Sequence, residues 1–266
     1  MDRSYSTQPT PQGRKKIYNI DSRMRTNASV SSSSGEFTVD VGAFDGPVQT
    51  IELVSAEIPN TQYVFTSANN YIDFNEGAGA LSAQITPGTY SIDDLVSHLK
   101  TILDAAGSDT YTVSFDEITK KLTIASTGSF SLLWSSGSHS ATSAYKELGW
   151  NQTDVSSGSS HTAPNSLKIS GDDYWFISVR NMPLNGVQGG SNSIGFTFKV
   201  PINVGYGDIV FYTQETGLNQ TITQANVCFC QPIFYVQLLD AYGKIVDLQG
   251  RDWSCAIGIT TYRSNY

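Results

Sequence analysis

The 266-residue chain has few charged side chains, few cysteines and few histidines. Asp, Glu, Lys and Arg make up 15% of the residues, and there are three cysteines and three histidines. An odd number of cysteines argues against a disulfide framework, so we interpret all three as buried thiols of a reducing compartment. No apolar run approaches the roughly 18 residues of a transmembrane helix, which predicts no direct membrane span. Residues 1–16, MDRSYSTQPTPQGRKK, have no apolar core, so we expect no secretory signal there.

The residue patterns of the common catalytic sites are also missing. His98 falls in a predicted helix, and His139 and His161 fall in serine-rich loops, so they do not form the cluster that a bound metal needs. No G-x-S-x-G nucleophile elbow is present, and the glycines at 186–190 are not followed by the Lys and Ser or Thr of a phosphate-binding loop. Nothing singles out a pair of carboxylates for glycosidase chemistry. We therefore predict a protein that is not an enzyme and that has no cofactor and no metal.

The charge is unevenly distributed along the chain. The formal net charge is −8, but residues 1–25 contain six basic and two acidic residues, a local charge of +4. The remainder is strongly acidic and is a poor surface for nucleic acid, so we predict no nucleic-acid partner. The basic segment either pairs with the acidic flank of a neighbouring copy or is a solvated tail. Under the first alternative the interface residues are Arg14, Lys15, Lys16, Arg23 and Arg25.

Alternating apolar residues dominate the rest of the chain and predict strands. Phe37, Val39 and Val41 point to one face of a strand at 36–41. In the closing run Trp253–Thr260, bulky residues occupy one face and small residues the other, which suits a strand of a sandwich. Roughly a dozen short strands with one helix predict an all-β fold. The predicted architecture is an antiparallel β-sandwich, a single jelly roll, with an inserted helix plus β-hairpin segment.

One helix and a following hairpin stand out between the strands. The helix is predicted over 91–106, because Ser91 and Asp94 form a capping box and the apolar residues fall on one stripe. Tyr111–Phe115 and Lys121–Ala125 form the predicted hairpin. We divide the chain into an extended N-terminal arm at 1–16 and a single jelly-roll domain at 17–266, with the helix/hairpin insertion at about 86–166. The serine-rich stretch 135–166 and residues 186–193 are expected to be surface loops.

Several motifs, in this order along the chain, resemble a known family. They are YNIDSRMRTN, IELVSAEIPNTQYVF, ITPGTYSIDDLVSHLKTIL, YTVSFDEITKKLTI, YKELGW, LKISGDDYWFISVRN and LLDAYGKIVDLQGRDWSCAIGI. The chain resembles the penton and minor capsid single jelly-roll proteins of nucleocytoplasmic large (giant) DNA viruses over about residues 17–262. It departs from the family at Trp253, where His is common in the closing D-x-S motif. We interpret that change as a packing variation that removes one possible polar contact.

The resemblance implies a structural role in an icosahedral virion that is assembled in the host cytoplasm. A chain of one jelly roll suits a fivefold vertex, so we favour a penton protein that forms pentamers and contacts the major and minor capsid proteins. The alternatives are a minor capsid or cement protein beneath or between the major capsomers, and a carbohydrate-binding β-sandwich at the virion surface. Trp150 is the candidate sugar contact in the last alternative, and a residue that anchors its loop otherwise.

Overall fold

A computed structural model describes residues 13–25, 34–44, 46–180, 182, 185–187, 194–215, 220–227 and 233–262. The chain divides into two compact units. Unit 1 consists of Met1–Thr61 together with Asp172–Tyr266, and unit 2 of Gln62–Gly171.

The described residues form strands throughout, with one α-helix. In chain order the elements are β1 (Gly13–Asp21), β2 (Glu36–Asp40), β3 (Val48–Pro59), β4 (Tyr71–Asn75), β5 (Ala80–Gln84), α1 (Ile92–Ala106), β6 (Tyr111–Asp116), β7 (Lys121–Leu132), β8 (Val155–Thr162), β9 (Tyr174–Arg180), β10 (Asn185–Val187), β11 (Ile194–Phe196), β12 (Phe198–Pro201), β13 (Ile209–Thr213), β14 (Thr221–Val227), β15 (Ile233–Leu239) and β16 (Ser254–Tyr262). Short 3₁₀ helices lie at Ser22–Met24 and Ser140–Thr142.

The described part of unit 1 contains two larger antiparallel sheets and the two-stranded sheet β10-β11. The first has the strand order β1-β16-β3-β13, with β14 pairing beside β13 on the same strand β3. The second has the order β12-β9-β15-β2. Chain segments cross repeatedly from one sheet to the other, as in the two Greek keys of a jelly roll. The predicted all-β antiparallel sandwich is confirmed.

The core of unit 1 consists of the inward-facing residues of both sheets. Phe37 and Val39 of β2 are buried, as their alternation predicts. Strand β16 buries Cys255, Ile257 and Ile259 on its inner face, which also agrees with the sequence pattern. The thiol of Cys255 is free and buried, and burial raises its pKa. Residues 228 and 230, the other two cysteines, lie outside the described residues.

Unit 2 packs a helix onto an antiparallel sheet of order β5-β4-β7-β6, with β8 pairing along β7. Helix α1 begins after Ser91, whose side chain accepts a hydrogen bond from the backbone N–H of Asp94. It buries Leu95, Leu99 and Leu103, one residue per turn, so the predicted capping and apolar stripe are confirmed. The core continues through the large aromatic residues of the sheet.

The boundaries differ from those predicted at three places. Strand β1 begins at Gly13, so the last four residues assigned to the arm form backbone pairs with β16. Their polar side chains are typical of an edge strand, and for that reason the sequence pattern did not indicate a strand there. Unit 2 spans 62–171 rather than 86–166, because β4 and β5 complete the sheet that contains the hairpin. The expected loop at 135–166 contains β8, which is a strand through its pairing with β7 despite its serine and glycine content.

Candidate assembly surface

Strand β1 forms one edge of the first sheet of unit 1. It pairs along its whole length with β16. Its first five residues are exposed, whereas Tyr18 and Ile20 are buried in the core. Three of the predicted interface residues, Arg14, Lys15 and Lys16, therefore lie on a paired strand and not on an extended arm. The Lys16 ammonium lies 4.8 Å from the centroid of the Tyr18 ring, a cation–π contact.

Lys15 forms an ion pair that crosses the neighbouring strand. Its partner, Glu52, lies on β3, and both side chains reach over Gly258 of the intervening strand β16. A Cβ atom at Gly258 would lie 2.6 Å from Glu52 Oε1 and 3.0 Å from Lys15 Cε. The glycine leaves the room in which the two long side chains meet. The small outer face of the closing strand is thus covered, at this point, by side chains of its own sheet.

Arg23 forms a local ion pair at the end of β1. Its Nε donates to Asp21 Oδ1 at 2.9 Å, and its Nη2 donates to Asp21 Oδ2 at 2.5 Å. The backbone N–H of Arg23 also donates to this carboxylate, which caps the 3₁₀ helix at Ser22–Met24. Hydrogen bonds from the Arg23 side chain lower the pKa of Asp21. The Arg23 side chain is 67% exposed, so it can still contact another molecule.

Arg25 belongs to a group of hydrogen bonds that joins the N-terminal motif to the C-terminal one. Arg25 Nη1 donates to Asp252 Oδ1 at 3.1 Å, and Ser22 Oγ donates to the same oxygen at 2.6 Å. Ser22 Oγ accepts from the backbone N–H of Trp253 at 3.0 Å. Two segments 230 residues apart are held together in this way. Three of the five predicted interface cations, Lys15, Arg23 and Arg25, thus pair with carboxylates of their own chain.

Trp253 has a polar partner of its own. The indole is buried, and its Nε1–H donates to the backbone oxygen of Ser34 at 2.7 Å. Its ring packs edge-on against Phe37, with the centroids 5.8 Å apart. We expected Trp253, in place of the usual His, to remove a polar contact. Instead its indole N–H is a buried hydrogen-bond donor.

The opposite edge of the same sheet exposes apolar side chains that sequence reasoning missed. Val210 and Tyr212 of β13 are buried, so Ile209 and Phe211 lie on the other face, where they are 40% and 64% exposed. Tyr206, in the turn before β13, is 48% exposed. The signal was present in the sequence, because four consecutive large apolar residues on a strand place two of them on each face.

The candidate sugar contact, Trp150, is buried. It is 4% exposed, and Trp134 and Trp175 are fully buried. The Trp150 ring packs against Trp134 with a centroid separation of 5.4 Å. Trp150 therefore anchors its segment in the core of unit 2, the second of the two roles considered for it. It presents no open ring face on which a sugar could stack.

The histidines of unit 2 have structural partners. His161 contacts the backbone oxygen of Phe130 through Nε2 at 2.8 Å, and His139 Nδ1 lies 2.9 Å from Asp73 Oδ1. His98 Nε2 accepts from the backbone N–H of Thr86. Across the described parts of the chain, no group of three or more His, Cys, Asp or Glu side chains is placed to hold a metal ion. No helix in those parts is long and apolar enough to cross a membrane.

Comparison with known proteins finds a likeness in structure but none in sequence. No protein-family model matches the chain, and no curated protein matches its sequence. Among solved structures, the chain is similar to the selenomethionine-labelled penton protein of mavirus, with a TM-score of 0.52 and 10% sequence identity. The likeness is one of fold. It covers 93% of this chain and 99% of the mavirus chain. Unit 2 contains more than a third of the residues of this chain, so a likeness of this extent is not limited to unit 1.

Proposed function

We propose that the chain is a virion structural protein, a penton that forms pentamers at the fivefold vertices of an icosahedral capsid. The observation that carries the proposal is the likeness in fold to the mavirus penton protein over nearly the whole length of both chains. The family resemblance of the sequence motifs points the same way. Neither depends on a catalytic group, and we propose a role without enzymatic activity.

The architecture suits a subunit of a closed ring. A ring of five copies needs two different surfaces on each copy, because every contact joins one surface to another in the same sense. The first sheet of unit 1 has two different edges, β1 on one side and β13 with β14 on the other. In this proposal the basic residues Arg14, Lys15, Lys16, Arg23 and Arg25 contribute to contacts between copies. The major and minor capsid proteins surround the ring in a virion assembled in the host cytoplasm.

The mass of the purified protein in solution tests the proposal. A penton gives a species of about five times the 28.9 kDa of one chain in sedimentation velocity, and fivefold rings by negative-stain microscopy. A chain that remains monomeric over a wide range of concentration and salt contradicts the penton. A minor capsid or cement protein would then be the better assignment, and binding of the monomer to purified capsomers would test it.

A further inference from the structure

The two edges of the first sheet of unit 1 are complementary in charge. We define the β1 edge as residues 13–25 and the β13 edge as residues 205–215. The β1 edge contains five cations and one aspartate, a net charge of +4 that its ion-pair partners Glu52 and Asp252 reduce to +2. The β13 edge contains two carboxylates and no cation, a net charge of −2. Asp208 and Glu215, the two carboxylates, are exposed. Opposite charges on two surfaces orient an association and accelerate it.

Both edges also expose apolar side chains beside these charges. Met24 of the β1 edge is 70% exposed and Ile17 is 53% exposed. On the β13 edge, Phe211, Ile209 and Tyr206 are exposed as described above. Large exposed apolar side chains that lie together among polar residues are characteristic of protein–protein contacts.

The strand register places Phe211 of the β13 edge level with the end of β1. Asp21 pairs with Ser254, Ser254 with Glu57, and Glu57 with Phe211, so these four residues form one row across the sheet. Ser22, which begins the 3₁₀ helix that contains Met24, follows Asp21 and donates its backbone N–H to Trp253. Phe211 therefore lies level with the strand end that leads into this helix, whereas Ile17 lies level with Thr221 of β14.

These two edges cannot meet within one molecule. Two strands, β16 and β3, separate β1 from β13, which places the edges about 14 Å apart at the usual strand spacing. A contact between a β1 edge and a β13 edge therefore needs two molecules. A second copy of this chain supplies both the opposite charge and the exposed apolar side chains.

We propose that the β1 edge of one copy docks on the β13 edge of the next, with Met24 and Arg23 against Phe211, Ile209 and Asp208. This inference rests on the proposed pentamer and specifies the surfaces that form it. The contact is heterologous, so each copy uses both of its edges and the chain of contacts can close into a ring. Burial of the apolar groups stabilises the contact and the charges fix its orientation, so association weakens as salt is added.

The test uses one variant for each edge of the full chain. Met24→Asp damages the β1 edge, and Phe211→Asp damages the β13 edge. Both side chains are mostly exposed, so each variant should keep its fold, which thermal melting verifies. In sedimentation velocity, each variant alone should lose the pentamer, with the dissociation constant of the contact raised by about tenfold or more. Ile118→Asp is the matched control: Ile118 is 93% exposed in unit 2, and this variant should remain pentameric.

A mixture of the two edge variants distinguishes head-to-tail docking from other arrangements. Each variant retains one intact edge, and the two intact edges are complementary, so equimolar mixing should give heterodimers and no larger species. Folded variants that stay dissociated when mixed would overturn the pairing. If both variants remain pentameric like the wild type, the choice of edges is wrong and the penton proposal stands. A monomeric wild type would overturn both.

Discussion

The two units of the molecule both bury an apolar core behind a β-sheet, but different polar groups hold their loops. In unit 1 the anchors connect segments that are far apart in sequence. Ser22 binds Asp252, and the indole of Trp253 donates to Ser34. The contact between Trp253 and Ser34 involves neutral groups alone, so it does not change with the protonation of a carboxylate.

In unit 2 the corresponding anchors are carboxylates. Asp73, 3% exposed, accepts from Ser82 Oγ at 2.6 Å and from the backbone N–H of His139 at 2.6 Å. Asp154 accepts from the backbone N–H and the hydroxyl of Ser135, at 2.7 and 2.9 Å. Such bonds are strong only while the acceptor is ionised. The comparison teaches that these loops of unit 2 depend on ionised acceptors, whereas Trp253 of unit 1 is held by packing and neutral hydrogen bonds. Unit 1 also has carboxylate acceptors, which are Asp21, Asp240 and Asp252.

Acid should destabilise unit 2 more than unit 1, and this is the largest effect that we expect. Burial alone would raise the pKa of Asp73, but hydrogen bonds from Ser82 and His139 outweigh it and lower the pKa. Burial also opposes the shift at Asp154, where bonds from Ser136 and Ser135 bring the pKa to about 2. A folded-state pKa below the unfolded value of about 3.9 stabilises the fold above that pH. This contribution is lost as the pH falls from about 4 towards 2.

Tryptophan fluorescence can follow the two units separately. Trp134 and Trp150 lie in unit 2, and Trp175 and Trp253 lie in unit 1. A variant that keeps the two tryptophans of one unit and has Phe in place of the other two reports the unfolding of that unit alone. Between pH 5 and pH 2.5, the denaturation midpoint of unit 2 should fall more steeply than that of unit 1. Equal losses in both units would contradict the assignment of the acid-sensitive anchors to unit 2.

Replacing the buried anchor of unit 2 should have the next largest effect. Asp73→Ala removes a buried carboxylate and leaves the Ser82 hydroxyl and the backbone N–H of His139 without their acceptor in a partly buried site. The expected loss is about 3 kcal/mol in the free energy of unfolding of unit 2, measured by urea denaturation. Asp93→Ala, which removes an exposed carboxylate from the first turn of α1, is the control and should cost less than about 1 kcal/mol. Similar losses in the two variants would show that Asp73 is not an anchor.

In unit 1, the crossing over β16 can be tested at Gly258. A methyl group there would meet the Lys15–Glu52 ion pair, so Gly258→Ala should displace it and destabilise unit 1 by about 1 to 2 kcal/mol. Gly205→Ala is the matched control, because its added Cβ atom would have one neighbour, Asp208 Oδ2, at 3.6 Å. A Gly258→Ala protein as stable as the control would mean that the ion pair adapts at no cost.

The smallest expected effect compares one tryptophan from each unit. Trp253 Nε1 donates to Ser34, whereas Trp134 Nε1 is buried and has no hydrogen-bond partner among the described residues. Replacement of either by Phe removes a similar volume, so the difference between the two losses isolates the hydrogen bond. Trp253→Phe should cost about 1 kcal/mol more than Trp134→Phe in chemical denaturation. Equal losses of stability in the two variants would show that the indole hydrogen bond of Trp253 does not stabilise unit 1.

Local patterns predicted a large part of this fold. The alternation through Phe37 and Val39, the cap of α1 at Ser91 and the two faces of β16 each follow from neighbouring residues, and each is found in the structure. Strand β8 was missed, because its serines and glycines have low strand propensity and only pairing with β7 makes it a strand. Strand propensity alone therefore did not predict β8, whose conformation depends on its pairing with a strand distant in sequence.

The candidate surface was less predictable for the same reason. The basic residues of the β1 edge were visible as a charge cluster, but their partners Glu52 and Asp252 follow from the register of β16 with its neighbours. The apolar group at Ile209 and Phe211 could have been found from the run IVFYT. The position of Phe211 level with Asp21 could not, because that requires the pairing of four strands.

The pairing of β1 with β16 has a consequence for synthesis of the protein on the ribosome. Strand β1 is the first strand of the described residues and β16 is the last, so the sheet of unit 1 cannot be completed until residues 254–262 have been translated. Unit 2 lies within one continuous stretch of sequence and can fold while the remainder of unit 1 is still being made. During synthesis unit 2 can therefore be folded before strand β1 has found its partner. A chain truncated before β16 would lack a paired β1 edge.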